Sequence, residues 1–183
     1  MNQRERDIES LLYSRPDLLP PLWFSGGGVS RWLARQYSVP SGRIDLLGIA
    51  EFSDHKSLVV VELKSGVIDS RAVAQVCRYA NDLQHILDAI CSRVDGLLTE
   101  ADSTVHKVLI GESVDRKTYF EAEGVGAICL GHQLQDGVLS VGRFELTDSR
   151  RWSAYNQLAE DSPFEYWMRQ AQIEREYIRR GRQ

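Results

Sequence analysis

The sequence predicts an α/β fold, a central mixed β-sheet flanked by α-helices with a helical C-terminal extension, and three stretches carry that reading. Arg43 to Ile49 and Leu58 to Leu63 are rich in Ile, Leu and Val and are joined through the short polar "EFSDHKS", as in an antiparallel hairpin lying partly in a sheet interior. Next, "IDSRAVAQVCRYANDLQHILDAICSRV" sets Val73, Val76, Cys77, Ala80, Leu83, Leu87 and Ile90 near a 3.6-residue period behind an Asp69/Ser70 cap, which predicts a long helix. Finally, "HKVLIGESV" and "VGAICLG" bracket a helical "DRKTYFEAEG", a βαβ pattern that implies parallel pairing.

The other elements fill in around these. Arg4 to Tyr13 carries Ile8, Leu11 and Leu12 at helical spacing and is closed by Pro16, a short amphipathic first helix. "SGGGVS" reads as a tightly turning loop, "RWLARQYSV" as a strand and "PSG" as a turn into the next one. "LQDGVLSVGRFEL" predicts a further hairpin strand around Asp136 and Gly137. From Arg150 the chain reads as helical and aromatic. The expected division is an α/β unit over residues 1–147 and a helical extension over 148–183 that packs on it or mediates dimerisation.

Composition narrows the function classes. The 183 residues are 43% hydrophobic and 26% charged, with no apolar run long enough to cross a bilayer and no signal-peptide core after Met1, so a cytoplasmic protein without membrane partners is expected. A net charge of −4 argues against coating nucleic acid by bulk electrostatics, so any such contact must be local. Cys77, Cys91 and Cys129 form no CxxC pair, and the histidines at 55, 85, 106 and 132 show no HxxxH spacing. Packed, reduced thiols are the simpler reading.

What needs explaining is the placement of Asp45, Glu62 and Lys64 inside apolar runs. Side chains alternate along a strand, so Glu62 and Lys64 share a face and Leu63 takes the other. If the strand bearing Asp45 lies alongside, two carboxylates and an ammonium converge at a sheet rim. Two close carboxylates repel, and a divalent cation relieves the repulsion; Mg²⁺ is a hard ion commonly held by one or two carboxylates. Such an ion activates water and neutralises charge on a phosphodiester in transit, while Lys64 is placed to orient or deprotonate that water, or to stabilise the developing charge.

An acid in one strand, ExK in the next and QxxxY on the following helix, here Asp45, Glu62, Lys64, Gln75 and Tyr79, resembles the PD-(D/E)xK nucleases of the RecB-like branch. The likeness is closest to the nuclease domain of the NucS/EndoMS endonucleases, whose equivalents look like "GRIDL…VVVEVK…Q..RY". Upstream, "ERDIESLLYSRPDLL" is similar to that family's first helix, and "VHKVLIGESVD" to a later core strand, so the likeness runs over roughly residues 5 to 135. It implies a restriction-endonuclease-like fold and a Mg²⁺-dependent DNA endonuclease, with Mn²⁺ as a substitute and RNA not excluded as substrate. It implies metal ligation by Asp45, Glu62 and Leu63, with Glu9 on an acid of the first helix facing the site. Catalytic roles fall to Asp45, Glu62, Lys64, Gln75 and Tyr79; nucleic-acid contacts are expected of Arg43 and Arg78 near the site and, from the arginine-rich tail beyond the resemblance, of Arg179 and Arg180. Two departures limit it. Ile44 stands where the nominal motif has proline, and the N-terminal domain that NucS proteins use for dimerising and gripping DNA has no counterpart, so mismatch recognition is not implied.

Plainer readings stand beside these. Asp45 fits an ion pair with Arg43 or Lys64, although an unpaired carboxylate between Ile44 and Leu46 is costly. Glu62 and Lys64 fit an exposed strand face, Gln75 and Tyr79 fit helix packing, and Glu9 fits a solvated helix face. Arg43 fits either phosphate binding or neutralisation of Asp45, and Ser65-Gly66 ends a strand rather than cradling phosphate. In the tail, Trp152, Tyr155, Phe164, Tyr166, Trp167 and Tyr177 lie among arginines, a pattern that suits core packing or a homodimer first and nucleic-acid contact second. At the level of the whole chain, the alternative to an enzyme is a catalytically silent module that binds nucleic acid or a protein partner.

Overall fold

The computed structural model of the chain describes residues 2–22, 27–52, 55–93, 105–146 and 151–154. Helix α1, Gln3–Ser14, opens on a capping box: Asn2 Oδ1 accepts from the Glu5 amide and Glu5 Oε2 accepts from the Asn2 amide. A single 3-10 turn, Pro16–Leu18, follows. Strand β1, Gly28–Val39, turns at Pro40 and Ser41 into β2, Gly42–Glu51, which pairs antiparallel with both β1 and β3, Lys56–Leu63. Three further elements lead on: the two-residue β4, Val67–Ile68, the long helix α2, Ser70–Arg93, and β5, Val105–Gly111. After the short β6, Ser113–Asp115, comes helix α3, Arg116–Gly124, capped by the Asp115 carboxylate on the Thr118 amide. The hairpin β7, Ala127–Gln135, and β8, Val138–Leu146, turns at Asp136 and Gly137, both at positive φ.

With a last short strand, β9, Arg151–Ala154, the strands form one mixed sheet in the order β1-β2-β3-β5-β7-β8-β9-β6-β4. β3, β5 and β7 are its parallel centre, and the outer pairings at β1/β2, β2/β3 and β7/β8 are antiparallel. This is the α/β architecture expected from the sequence. Alternation divides the core into two layers. Leu58 and Val60 face α2, where they meet Val73, Val76, Leu83 and Leu109; Val59, Val61 and Leu63 face α1, where they meet Ile8, Leu12, Val108 and Ile110. Each apolar run in the centre of the sheet is therefore covered on both sides, which is why it shows no polar alternation in sequence. Trp32 fixes α1 to the sheet: its ring lies over Gly48, where a Cβ would meet it at 2.7 Å, and its Nε1 donates to the Leu12 carbonyl at 2.7 Å.

One expectation is corrected. The stretch from Arg150 begins with a strand, β9, Arg151–Ala154, antiparallel to both β6 and β8, and not with a helix. Two open sheet edges offer these four residues backbone partners, and that pairing outweighs local helical preference. The remainder of the expected extension, residues 148–150 and 155–183 with Arg179 and Arg180, lies outside the described residues, as does the side chain of Cys91. Cys77 and Cys129 are free thiols, and burial pushes Cys129 up to about 12. Among the described residues no helix is long and apolar enough to cross a membrane.

Candidate active site

At one end of the β1–β2–β3 sheet an open cleft of about 590 Å³ is lined from five directions. Helix α1 contributes Glu5; β1 contributes Gln36 and Ser38; β2 contributes Gly42, Arg43 and Asp45; the end of β3 contributes Glu62, Leu63 and Lys64; and α2 contributes Gln75 and Tyr79. The expected Asp45, Glu62, Lys64, Gln75, Tyr79, Arg43 and Leu63 are thus brought together from three separate elements.

Both acids of the cleft are buried, Asp45 at 8% exposure and Glu62 at 3%. Asp45 accepts at both oxygens, Oδ2 from the Leu63 amide at 2.7 Å and Oδ1 from Gln36 Nε2 at 3.0 Å. Glu62 Oε1 accepts from Lys64 Nζ at 2.7 Å, whereas its Oε2 is buried without a hydrogen-bond partner. Burial raises the Asp45 carboxyl above its ordinary range, against the opposing Leu63 and Gln36 hydrogen bonds. Burial first, and then the Asp45 charge, pushes Glu62 up to about 7. For Lys64 burial acts downward, but the hydrogen bond and charge of Glu62, followed by the charge of Asp45, outweigh it and raise the ammonium pKa. Lys64 is therefore cationic at neutral pH.

The Lys64 corner is held on several sides. Its amide donates to the Ile110 carbonyl at 2.8 Å, and the buried His132 ring on β7 meets its carbonyl through Nε2 at 2.9 Å. The next amide, of Ser65, donates to Glu5 Oε1 at 3.1 Å, so the capping residue of α1 is also a clamp on the end of β3. Burial acts upward on the Glu5 carboxyl, but its hydrogen bonds from Asn2 and Ser65 outweigh that and hold it below its usual range. Tyr79 is buried at the cleft floor. Its hydroxyl accepts from Gln75 Nε2 at 2.6 Å and from the Arg43 amide at 3.3 Å, and it sits where a Cβ on Gly42 would come within 2.8 Å.

Two expected residues stand elsewhere. Glu9 is buried beneath the cleft but does not line it. Its Oε2 accepts from Gln36 Nε2 at 3.1 Å and its Oε1 has only Arg35, at 3.9 Å. Arg78 is exposed on α2 outside the cleft lining. Gln36, Glu5 and His132 are the residues that sequence reasoning missed. Glu5 alone carried a signal, as the acid of an Asn-x-x-Glu helix start.

The donor set fits a hard divalent cation. Glu62 Oε2 is a buried carboxylate oxygen lacking a partner, in a cleft shared with Asp45 and the end of β3, and burying such an oxygen without compensation is costly. Among the described residues no three acidic, histidine or cysteine side chains stand together as a chelating group. The cleft itself offers such an ion two buried carboxylates, Asp45 and Glu62, to be completed by main chain, water or substrate.

Residues 4–117 match the family described as the endonuclease NucS C-terminal domain. The chain belongs to that family. The match runs from α1 into α3 and contains every described side chain of the cleft. Among solved structures, a repair endonuclease from Pyrococcus abyssi is 21% identical with a TM-score of 0.50, covering 70% of this chain and 46% of that one. EndoMS in complex with double-stranded DNA is 22% identical, also with a TM-score of 0.50, covering 68% of this chain and 42% of that one. These likenesses establish the NucS fold, and this chain spans less than half the length of either protein.

Proposed function

We propose that the chain is a divalent-cation-dependent endodeoxyribonuclease that hydrolyses phosphodiester bonds by in-line attack of water, with Mg²⁺ as the resident ion and Mn²⁺ as a substitute. The observation that carries this reading is Glu62, a buried carboxylate with one unpartnered oxygen, set between Asp45 and Lys64 in an open cleft. Membership of the NucS family supports it, and DNA as the substrate is supported by the EndoMS complex with double-stranded DNA.

Asp45, Glu62 and the main-chain carbonyl of Leu63 would hold the ion, which when bound supplies Lewis-acid stabilisation to the charge developing on the phosphodiester. Lys64, hydrogen-bonded to Glu62 Oε1, would orient the attacking water and balance the added charge of the transition state. Arg43, exposed on the cleft wall, takes a neighbouring phosphate. Tyr79 and Gln75 set the position of the Arg43 backbone and shape the floor on which the substrate strand lies.

The test is nicking of supercoiled plasmid, with cleavage of branched, mismatched and single-stranded DNA and of matched RNA, in Mg²⁺, Mn²⁺ or EDTA. Cutting is expected only with metal, and not in Asp45→Ala or Glu62→Ala. Cutting that survives EDTA or either substitution would refute the assignment. Nucleic-acid binding without cutting by the wild type would favour a silent binding module instead.

A further inference from the structure

Two non-glycine residues among those described have positive φ, Asp136 and Gln36. Asp136 lies in the β7–β8 turn, where such an angle is required. Gln36, at φ 52°, lies inside the twelve-residue strand β1, where nothing in the chain reversal calls for it. It falls between the rungs Arg35–Leu46 and Tyr37–Ile44, directly across from Asp45. A residue with a Cβ is held at such an angle in a strand only if its surroundings over-determine it, and such outliers gather at functional sites.

The surroundings here are two buried acids from different elements. The single Nε2 of Gln36 donates to Asp45 Oδ1 at 3.0 Å and to Glu9 Oε2 at 3.1 Å, so its two hydrogens separate the carboxylates of β2 and α1. With the Leu63 amide on Oδ2, Asp45 is fixed at both oxygens by neutral donors, which orient a carboxylate without competing for its charge. Glu9 is held at Oε2 alone, its buried Oε1 having no hydrogen-bond partner. The amide nitrogen stands between Glu9 Oε2 and Asp45 Oδ1, where an ion bridging those two oxygens would otherwise sit.

Building on the cation-dependent reading of the cleft, we propose that Gln36 is a positioning residue that fixes Asp45 and keeps Glu9 out of the ligand set, so that the cleft takes one divalent ion per chain, at Asp45 and Glu62. The full chain is compared with Gln36→Gly, which permits the same backbone angle and deletes the amide, and with Gln36→Glu, which keeps the length and replaces a donor by a third acid. Calorimetric titration with Mn²⁺ alone should give one ion per chain in the wild type, and one ion bound at least about tenfold more weakly in Gln36→Gly. Two ions in the wild type, or undiminished affinity in Gln36→Gly, overturns the assignment.

A second measurement stands apart from the metal. In EDTA at pH 8, Gln36→Glu should unfold at a lower temperature than Gln36→Gly, because it sets like charge between two buried acids. A residue that only filled space would give the reverse order, since Gln36→Glu is nearly isosteric. If the wild type takes up no Mn²⁺, the cation reading falls and this order decides the role of Gln36 by itself. Gln36→Glu unfolding at or above the temperature of Gln36→Gly would overturn it.

Discussion

Glu62→Gln should make the metal-free protein more stable above neutral pH and abolish its affinity for divalent ions. In the wild type, burial and then the Asp45 charge raise the Glu62 carboxyl from 4.5 to about 7. A carboxyl raised in this way stabilises the fold while protonated; the contribution is complete below about 4.5 and is lost as pH rises through about 7. The rise corresponds to about 3 kcal/mol, at roughly 1.4 kcal/mol per tenfold change in proton affinity. Glutamine has nearly the same shape and stays neutral, so the variant should match the wild type near pH 4.5 and exceed it by about 2–3 kcal/mol at pH 8. The total curve of the wild type is not the readout. His106, lowered to about 4 by burial and then by His55 and Lys107, adds stability as pH rises through 4 to 6.5, in the opposite sense. The difference between the two proteins removes that background. Urea unfolding in EDTA from pH 4.5 to 8.5 measures it, and a difference that stays flat with pH, or a less stable variant at pH 8, refutes the reasoning. Mn²⁺ at about a hundred times its dissociation constant should add about 2.7 kcal/mol to the wild type alone and erase the advantage of the variant.

Other outcomes follow from the same geometry. Lys64→Ala should bind Mn²⁺ within a few-fold of wild type yet cut plasmid at least about a hundredfold more slowly, since it supplies orientation and charge rather than ligation. Equal losses of binding and rate would argue against that role. Gly42→Ala places a Cβ 2.8 Å from the Tyr79 hydroxyl at a residue whose φ is 149°, and should lower unfolding stability by about 1–3 kcal/mol. His132→Ala removes the ring that meets the Lys64 carbonyl, so kcat should fall about tenfold or more with KM and Mn²⁺ affinity little changed; a loss confined to KM would count against it.

The charged residues of the cleft were legible and most of those that hold them were not, for a physical reason. Asp45, Glu62 and Lys64 break their local pattern, as charges inside runs that the sheet interior requires to be apolar, and strand parity alone places Glu62 with Lys64. Gln75 and Tyr79 follow from helical spacing, although the buried Tyr79 hydroxyl braces Gly42 and Arg43, a contact that no spacing discloses. The holders obey their local pattern. Glu5 reads as a capping acid and His132 as one polar residue in a strand, and their targets, Ser65 and Lys64, lie 60 and 68 positions away. Gln36 is less visible still, since a left-handed residue within a strand has no compositional mark, and its place opposite Asp45 depends on an edge strand with two register shifts. The short strands β4, β6 and β9 are missed likewise, because two to four residues show no period. Glu9 shows where the boundary lies: helical phase brings it to the buried side of α1, and its contact with the Gln36 amide, rather than with the cleft, is one that no spacing discloses.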